Sequence, residues 1–216
     1  MSAAAYRTLA RESMQELVEQ KSRFLCYVAP CETEEDALSF LARVKEMYKQ
    51  ASHHCYAYII GANEGIMRYQ DDGEPTGTAG LPILNVLRAK QLANCCAVVV
   101  RYFGGILLGA GGLVRAYTKS CVLGIDHAGT VMMEPSLRQS LSIAYPLWDR
   151  VRRQLSMLPV LNEETTYAEQ VQHHYIVRQT DAATVLKALT EASDGQVQVD
   201  QLDDFFYAWP DDLPST

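Results

Sequence analysis

Three carboxylates fall within four residues of one another, at Asp71, Asp72 and Glu74. Oxygen ligands this close together suit a hard cation, and neighbouring carboxylates suit general acid–base transfer. The same run also suits a plain acidic turn. It lacks the alternating D-x-D-x-D-G ladder of an EF-hand. His53, His54 and Cys55 form a second cluster. Adjacent residues on a strand point to opposite faces, so only His53 and Cys55 can share one. No further ligand accompanies them, so no metal site and no cofactor are expected. His53 and His54 remain candidates for lining a site. With Asp71, Asp72 and Glu74 they form the set of possible catalytic groups. No G-x-S-x-G elbow is present to raise a serine nucleophile.

The third feature runs from Arg101 to Arg115 and holds five glycines, Gly104, Gly105, Gly109, Gly111 and Gly112. A strand feeding a glycine-rich loop and then a helix exposes backbone N–H groups, and these can cradle an anion. Arg101, Arg115 and Lys119 stand where they could add charge, and arginine suits bidentate phosphate contacts. The plainer alternative is that the glycines serve tight turns and close packing. The segment is not a P-loop. Gly104 and Gly109 have the right spacing, but Ala110 and Gly111 replace the Lys and Ser/Thr. Val114 likewise breaks the dinucleotide fingerprint.

These residues need a scaffold. Leu9, Met14, Leu17 and Val18 fit either one helix or short strands. Residues 24–28 read as a strand. Thr33 with the acids after it reads as the capped start of a helix carrying Ala37, Leu41, Val44 and Tyr48. Residues 55–60 and 66–69 read as strands joined by a turn at 63–65. Residues 71–80 hold three glycines and a proline, which excludes regular structure. A helix from Pro82 to about Ala93, a strand over 95–103 and a helix over 112–126 follow.

The second half reads as a strand over 140–144, a helix over 146–155 and strands over 160–167 and 171–178. A helix capped by Thr180, with Ala182, Val185, Leu186 and Leu189 as its apolar stripe, precedes a last strand over 197–207. That β-α-β-β-α-β order is the split plan of ferredoxin-like domains. The expected organisation is α+β, with domains over 1–133 and 134–209 and a frayed tail over 210–216.

Composition narrows the function classes. The chain has 216 residues and a net charge of −7. Residues 1–133 carry 13 basic and 13 acidic groups, so all of that charge lies in the remainder, with 6 basic and 13 acidic. A globally acidic chain argues against broad nonspecific nucleic-acid binding. Yet residues 75–125 contain no acid, while holding Arg88, Lys90, Arg101, Arg115 and Lys119. No apolar run reaches the ~18 residues of a membrane span. No secretory pattern opens the chain. Six cysteines without a C-x-x-C pair fit unpaired thiols in a reducing cytoplasm.

The motifs together resemble a known family. They are Lys21-Ser22-Arg23-Phe24, His53-His54-Cys55-Tyr56-Ala57, Asp71-Asp72-Gly73-Glu74-Pro75 with Gly77-Thr78-Ala79-Gly80, and the run from Val98 through Gly105 to Arg115-Ala116-Tyr117. The chain resembles the YigZ/IMPACT family over about residues 15–127. The resemblance implies an N-terminal domain of the ribosomal-protein and GHMP-kinase type, and a ferredoxin-like C-terminal domain similar to one in elongation factor G. It also implies regulation of translation under stress, since the eukaryotic relatives restrain the amino-acid-starvation response. The expected function is a translation-linked binding protein contacting RNA, the ribosome or a translation-associated protein. The alternative is an enzyme acting on a small phosphorylated or anionic ligand at the glycine loop. A peptidase, a label some members carry, finds no ligand or nucleophile pattern here.

Overall fold

The computed structural model describes residues 4–62 and 65–209. The turn expected at 63–65 and the tail over 210–216 lie wholly or partly outside the described residues. The chain divides into two compact units. One spans Tyr6–Met132, and the other joins Met1–Ala5 to Met133–Thr216. Both are mixed α+β and are built on antiparallel strand pairs.

In the first unit the N-terminal ambiguity resolves to strands, β1 (Tyr6–Leu9) and β2 (Ser13–Glu19). Exposed and less exposed residues alternate along β2, which is strand spacing. Then come β3 (Ser22–Pro30), α1 (Glu34–Met47), β4 (His53–Ile60), β5 (Ile66–Gln70), α2 (Gly80–Ala89), β6 (Cys95–Tyr102) and α3 (Gly109–Ala128). The sheet order is β2-β3-β6-β4-β5, and β1 is not one of its strands. Just after β1 the Ala10 N–H donates to the Gly129 carbonyl at 3.0 Å, beyond the end of α3.

Thr33 and Asp36 form a reciprocal capping box at the start of α1. Phe40, Leu41 and Val44 of that helix pack on Leu25, Tyr27, Val98, Val100, Tyr58 and Ile60, which are alternate residues of β3, β6 and β4. The intervening residues face α3: Cys26 and Val28 meet Gly124, and the Phe24 ring stands edge-on to Tyr117 at 5.2 Å. The central strand β6 is buried over Cys95–Arg101 because both faces are covered by helices. α2 ends at Ala89 rather than near Ala93, with Gln91 and Asn94 at positive φ.

α3 begins at Gly109, three residues earlier than expected. Gly109, Gly111 and Gly112 therefore belong to its first turn, and the irregular loop shrinks to 103–108. Arg115 consequently sits in the second turn, not the first.

The second unit is built from β7 (Thr130–Ile143), α4 (Tyr145–Leu155), β8 (Val160–Tyr167), β9 (Val171–Arg178), α5 (Ala182–Ala192) and β10 (Gln198–Ala208). β7 lies between β9 and β10, and β8 pairs the other edge of β9. Trp148, Val151 and Leu155 of α4, and Val185 and Leu189 of α5, pack on Leu141, Val171, Tyr175 and Val177. Two expectations for α5 are corrected. Its N-cap is Asp181, without a side-chain cap bond, so Thr180 does not cap it. Leu186 points outward, because it falls between the buried Val185 and Leu189 rather than on their stripe.

Candidate functional site

The pairing of the sheet assembles the site. His53 of β4 lies opposite Arg101 of β6, and Arg101 lies opposite Phe24 of β3. These residues form one row across three strands, on the face covered by α2 and α3. Tyr117 comes down from α3, and Glu74 enters from the loop between β5 and α2. Arg101 Nη1 meets Glu74 Oε1 at 2.6 Å, and the two side chains are 6% and 3% exposed. Tyr117 Oη donates to the same carboxylate oxygen at 2.7 Å. Arg101 Nη2 donates to Ser22 Oγ at 3.3 Å, and the guanidinium lies 5.4 Å from the Phe24 ring centroid and 5.6 Å from that of Phe103.

The expectation of Arg101 as an exposed anion contact is thereby corrected. Strand alternation turns it inward beside Tyr117, where its charge neutralises Glu74. Its Nε has no hydrogen-bond partner among the described residues.

The other two carboxylates are also engaged. Asp71 Oδ1 accepts from the backbone N–H groups of Ala79 at 3.0 Å and Gly80 at 2.8 Å, while Oδ2 accepts from Gly77 at 2.8 Å. It serves as a long-range cap for α2, whose own N-cap residue Ala79 has no side-chain oxygen. Asp72 Oδ2 accepts from the His54 N–H at 2.6 Å. The acidic run is thus a scaffold that folds the loop onto β4 and α2. Among the described residues no group of three or more His, Cys, Asp or Glu side chains is arranged around a metal position.

Hydrogen bonds fix both histidine rings. His53 Nδ1 lies 2.8 Å from the Asp72 carbonyl, and His54 Nε2 lies 3.0 Å from the Tyr48 carbonyl. A carbonyl only accepts, so each of those nitrogens carries its proton. In neutral His53 the lone pair is therefore on Nε2, 3.9 Å from Glu74 Oε1, on a partly exposed ring. Cys55 is buried with its Sγ at 3.0 Å from the Asp71 carbonyl and 3.3 Å from Tyr117 Oη. Burial, reinforced by the Glu74 charge, pushes its thiol well above the ordinary range despite the Tyr117 contact. Tyr117 is raised by burial and by Cys55 and Glu74. Both groups stay protonated at neutral pH, so Cys55 is not an activated nucleophile.

Two participants, Ser22 and Phe24, have no role that spacing alone assigns. Ser22 Oγ also accepts from the Gly104 N–H at 3.2 Å, which ties the glycine loop to β3. A Cβ on Gly104 would lie 2.0 Å from the Lys21 carbonyl carbon, so this approach requires glycine.

Arg115 and Lys119 lie apart from the buried cluster. With Gly112, Leu108, Glu19 and Gln20 they line a polar depression of about 240 Å3 beside the β2–β3 turn. Arg115 Nη1 lies near Gly111, where a Cβ would be 3.6 Å away. The first turn of α3 has no acid and no side-chain cap. Of the expected anion-binding set, Gly112, Arg115 and Lys119 share this depression and Gly111 adjoins it, whereas Arg101 is buried with Glu74.

The Impact N-terminal domain family model matches residues 20–125. The chain is 38% identical to the IMPACT family member YvyE of Bacillus subtilis over 195 residues, 90% of each chain. It is 46% identical to the IMPACT family member YigZ of Escherichia coli over 58% of this chain and 63% of that one. The mouse protein named Protein IMPACT matches at 35% over 98 residues, 43% of this chain and 30% of its own. A solved structure described as a hypothetical protein superposes with a TM-score of 0.61 at 29% identity, covering 94% of this chain and 98% of that one. The chain belongs to the IMPACT family. No helix among the described residues is long and apolar enough to cross a membrane.

Proposed function

We propose that this protein is a cytoplasmic, translation-linked regulatory binding protein that contacts RNA, on the ribosome or free, through the first three turns of α3. The carrying observation is the coincidence of Arg115 and Lys119 with an acid-free, uncapped helix start in one polar depression. Open N–H groups and a positive helix end favour phosphate, and Arg115 folds back over that turn. Exposed Phe103 adds a flat ring beside the glycine loop, suited to stacking on a base. Membership of a family that includes eukaryotic IMPACT supports the translation link. The first unit is read as the ribosomal-protein and GHMP-kinase type. The second, in which β10 pairs β7, β7 pairs β9 and β9 pairs β8, is read as ferredoxin-like and akin to one in elongation factor G.

The alternative, an enzyme acting on a small anionic ligand at this segment, is less well supported. The depression is smaller than the ~300–1,000 Å3 of typical ligand pockets, and the carboxylates nearby in sequence are bound to the protein itself.

Co-sedimentation with ribosomal particles across a salt series, alongside filter binding to a single-stranded RNA, tests the reading. Wild type should associate in a salt-sensitive way. Arg115→Glu/Lys119→Glu should abolish that association, and neutral replacements should flatten the salt slope by about one for each phosphate no longer neutralised. Equal binding by the charge-reversed protein overturns the proposal. Arg101 is unsuited to this test, because reversing it places two like charges in the core.

A further inference from the structure

We propose that the groove between α2 and α3 is a docking site for an acidic amphipathic helix of a partner protein. The groove holds about 440 Å3 and is lined by Leu81, Pro82, Val86 and Ala89 from α2 and by Val114 and Val122 from α3. Asn85 and Thr118 are among the few polar groups in it. Leu81 and Val114 are each 37% exposed, so the apolar lining opens to solvent. Solvent-facing apolar residues that are contiguous and rimmed by charge mark interaction surfaces more often than scattered ones do.

The rim specifies the partner's charge. Residues 75–125 contain no acid, so every ionised side chain from α2 to the last turn of α3 is basic. Arg88 stands on the exposed side of α2 beside Asn85 and Ala89. Arg115 and Lys119 each follow a groove residue by one position, about 100° further around α3. Cations therefore flank both walls. Lys90 closes one end, already paired with Asp126 at 2.6 Å, whereas Arg88, Arg115 and Lys119 form no ion pair among the described residues.

Shape separates the candidate occupants. α2 has 10 residues, so the groove runs for roughly 15 Å, about the length of three turns of a docked helix. Apolar anchors at i, i+4 and i+7 would fill such a trough, with acids on the flanks meeting the rim. A small molecule would lack polar groups to orient it. A bilayer binds protruding apolar faces, and leaving a concavity unfilled forfeits contacts.

The test uses the full chain and fluorescence anisotropy. One probe is a labelled 14-residue helical peptide with leucines at i, i+4 and i+7 and glutamates flanking them; its counterpart carries lysines instead. The glutamate peptide should bind in the micromolar range and the lysine peptide at least about tenfold more weakly. Thr118→Trp and, independently, Asn85→Trp fill the groove from either wall and should each weaken binding by about tenfold or more. Arg88→Glu/Lys119→Glu should do the same, and raised salt should weaken the wild type. Unfolding midpoints of the variants verify the fold. Failure of the glutamate peptide to bind at about 1 mM, equal affinity for both peptides, or binding unaffected by either tryptophan overturns the proposal. So does binding to anionic phospholipid vesicles that Thr118→Trp abolishes, if the peptide does not bind. Thr118→Trp leaves Arg115 and Lys119 in place, so RNA association should survive it. The two surfaces can thus fail separately.

Discussion

Glu74 Oε1 accepts at once from Arg101 Nη1 at 2.6 Å and from Tyr117 Oη at 2.7 Å. One oxygen thus joins the central strand, the acidic loop and α3. The loop brings the acid, β6 the base and α3 the phenol, and none of the three is close to both others in sequence.

Breaking this pair from one side leaves an uncompensated buried charge. Arg101→Ala and Glu74→Ala should each destabilise the fold by about 3–5 kcal/mol. The double variant Glu74→Gln/Arg101→Met should lose less than the two single changes added together. Tyr117→Phe removes one bond to a charged acceptor and should cost about 1.5–3 kcal/mol. Urea unfolding of the set as a double-mutant cycle measures these, and additive losses would contradict the coupling.

Asp71 is occupied by backbone N–H groups on both oxygens. Asp71→Asn keeps the shape but removes the charge and turns a donor toward donors, so a loss of about 1.5–3 kcal/mol is expected. Millimolar calcium or magnesium should leave the wild-type melting temperature unchanged. A calcium-dependent rise that disappears in Asp71→Asn would show that the oxygens still serve a cation.

Gly104 and Gly105 should differ in what an alanine costs. Gly104→Ala drives a methyl into the Lys21 backbone and should cost at least about 1–3 kcal/mol, detaching the loop from Ser22. Gly105 has φ +81 but open space around its Cβ position, so Gly105→Ala should cost only about 1 kcal/mol. Thermal melts of the two variants decide it; equal losses would mean that close approach does not constrain the loop.

The second unit should carry a pH dependence at His173. Its ring is held by Thr165 Oγ1 at 2.8 Å and Asn162 Oδ1 at 2.9 Å. Burial first, then the neighbouring His174, lower its pKa against an opposing pull from Glu163. The unfolded chain therefore takes up the proton more readily than the folded one. The stabilisation is full above the unfolded value of ~6.5, declines as pH falls below it, and reaches its floor under the folded value. Urea midpoints between pH 7.5 and 5 should fall more steeply for wild type than for His173→Gln. Parallel curves would remove His173 as the cause.

Much of the scaffold was legible along the chain because local chemistry dictates it. Thr33 and Asp36 announce the start of α1 by reciprocal hydrogen bonding, and strand alternation placed His53 and Cys55 on one face. The irregular course expected over 71–80 followed from its glycines and proline, except that Gly80 already belongs to α2. The glycine segment was harder. Small residues fit both a loop and a first helical turn, and the structure places the start of α3 at Gly109.

The sequence by itself determined the α+β class, the motifs of the family, the acid-free interval and the two clusters of candidate residues. What it could not determine was which charges remain unpaired. Arg101 and Arg115 look alike in sequence, each beside the glycine run. The sheet turns Arg101 toward Glu74, 27 residues away, while the helix carries Arg115 outward into solvent. Propensity and spacing are local, but the neutralisation of a charge depends on which distant side chain the fold brings within hydrogen-bonding reach, and that is settled only by tertiary packing.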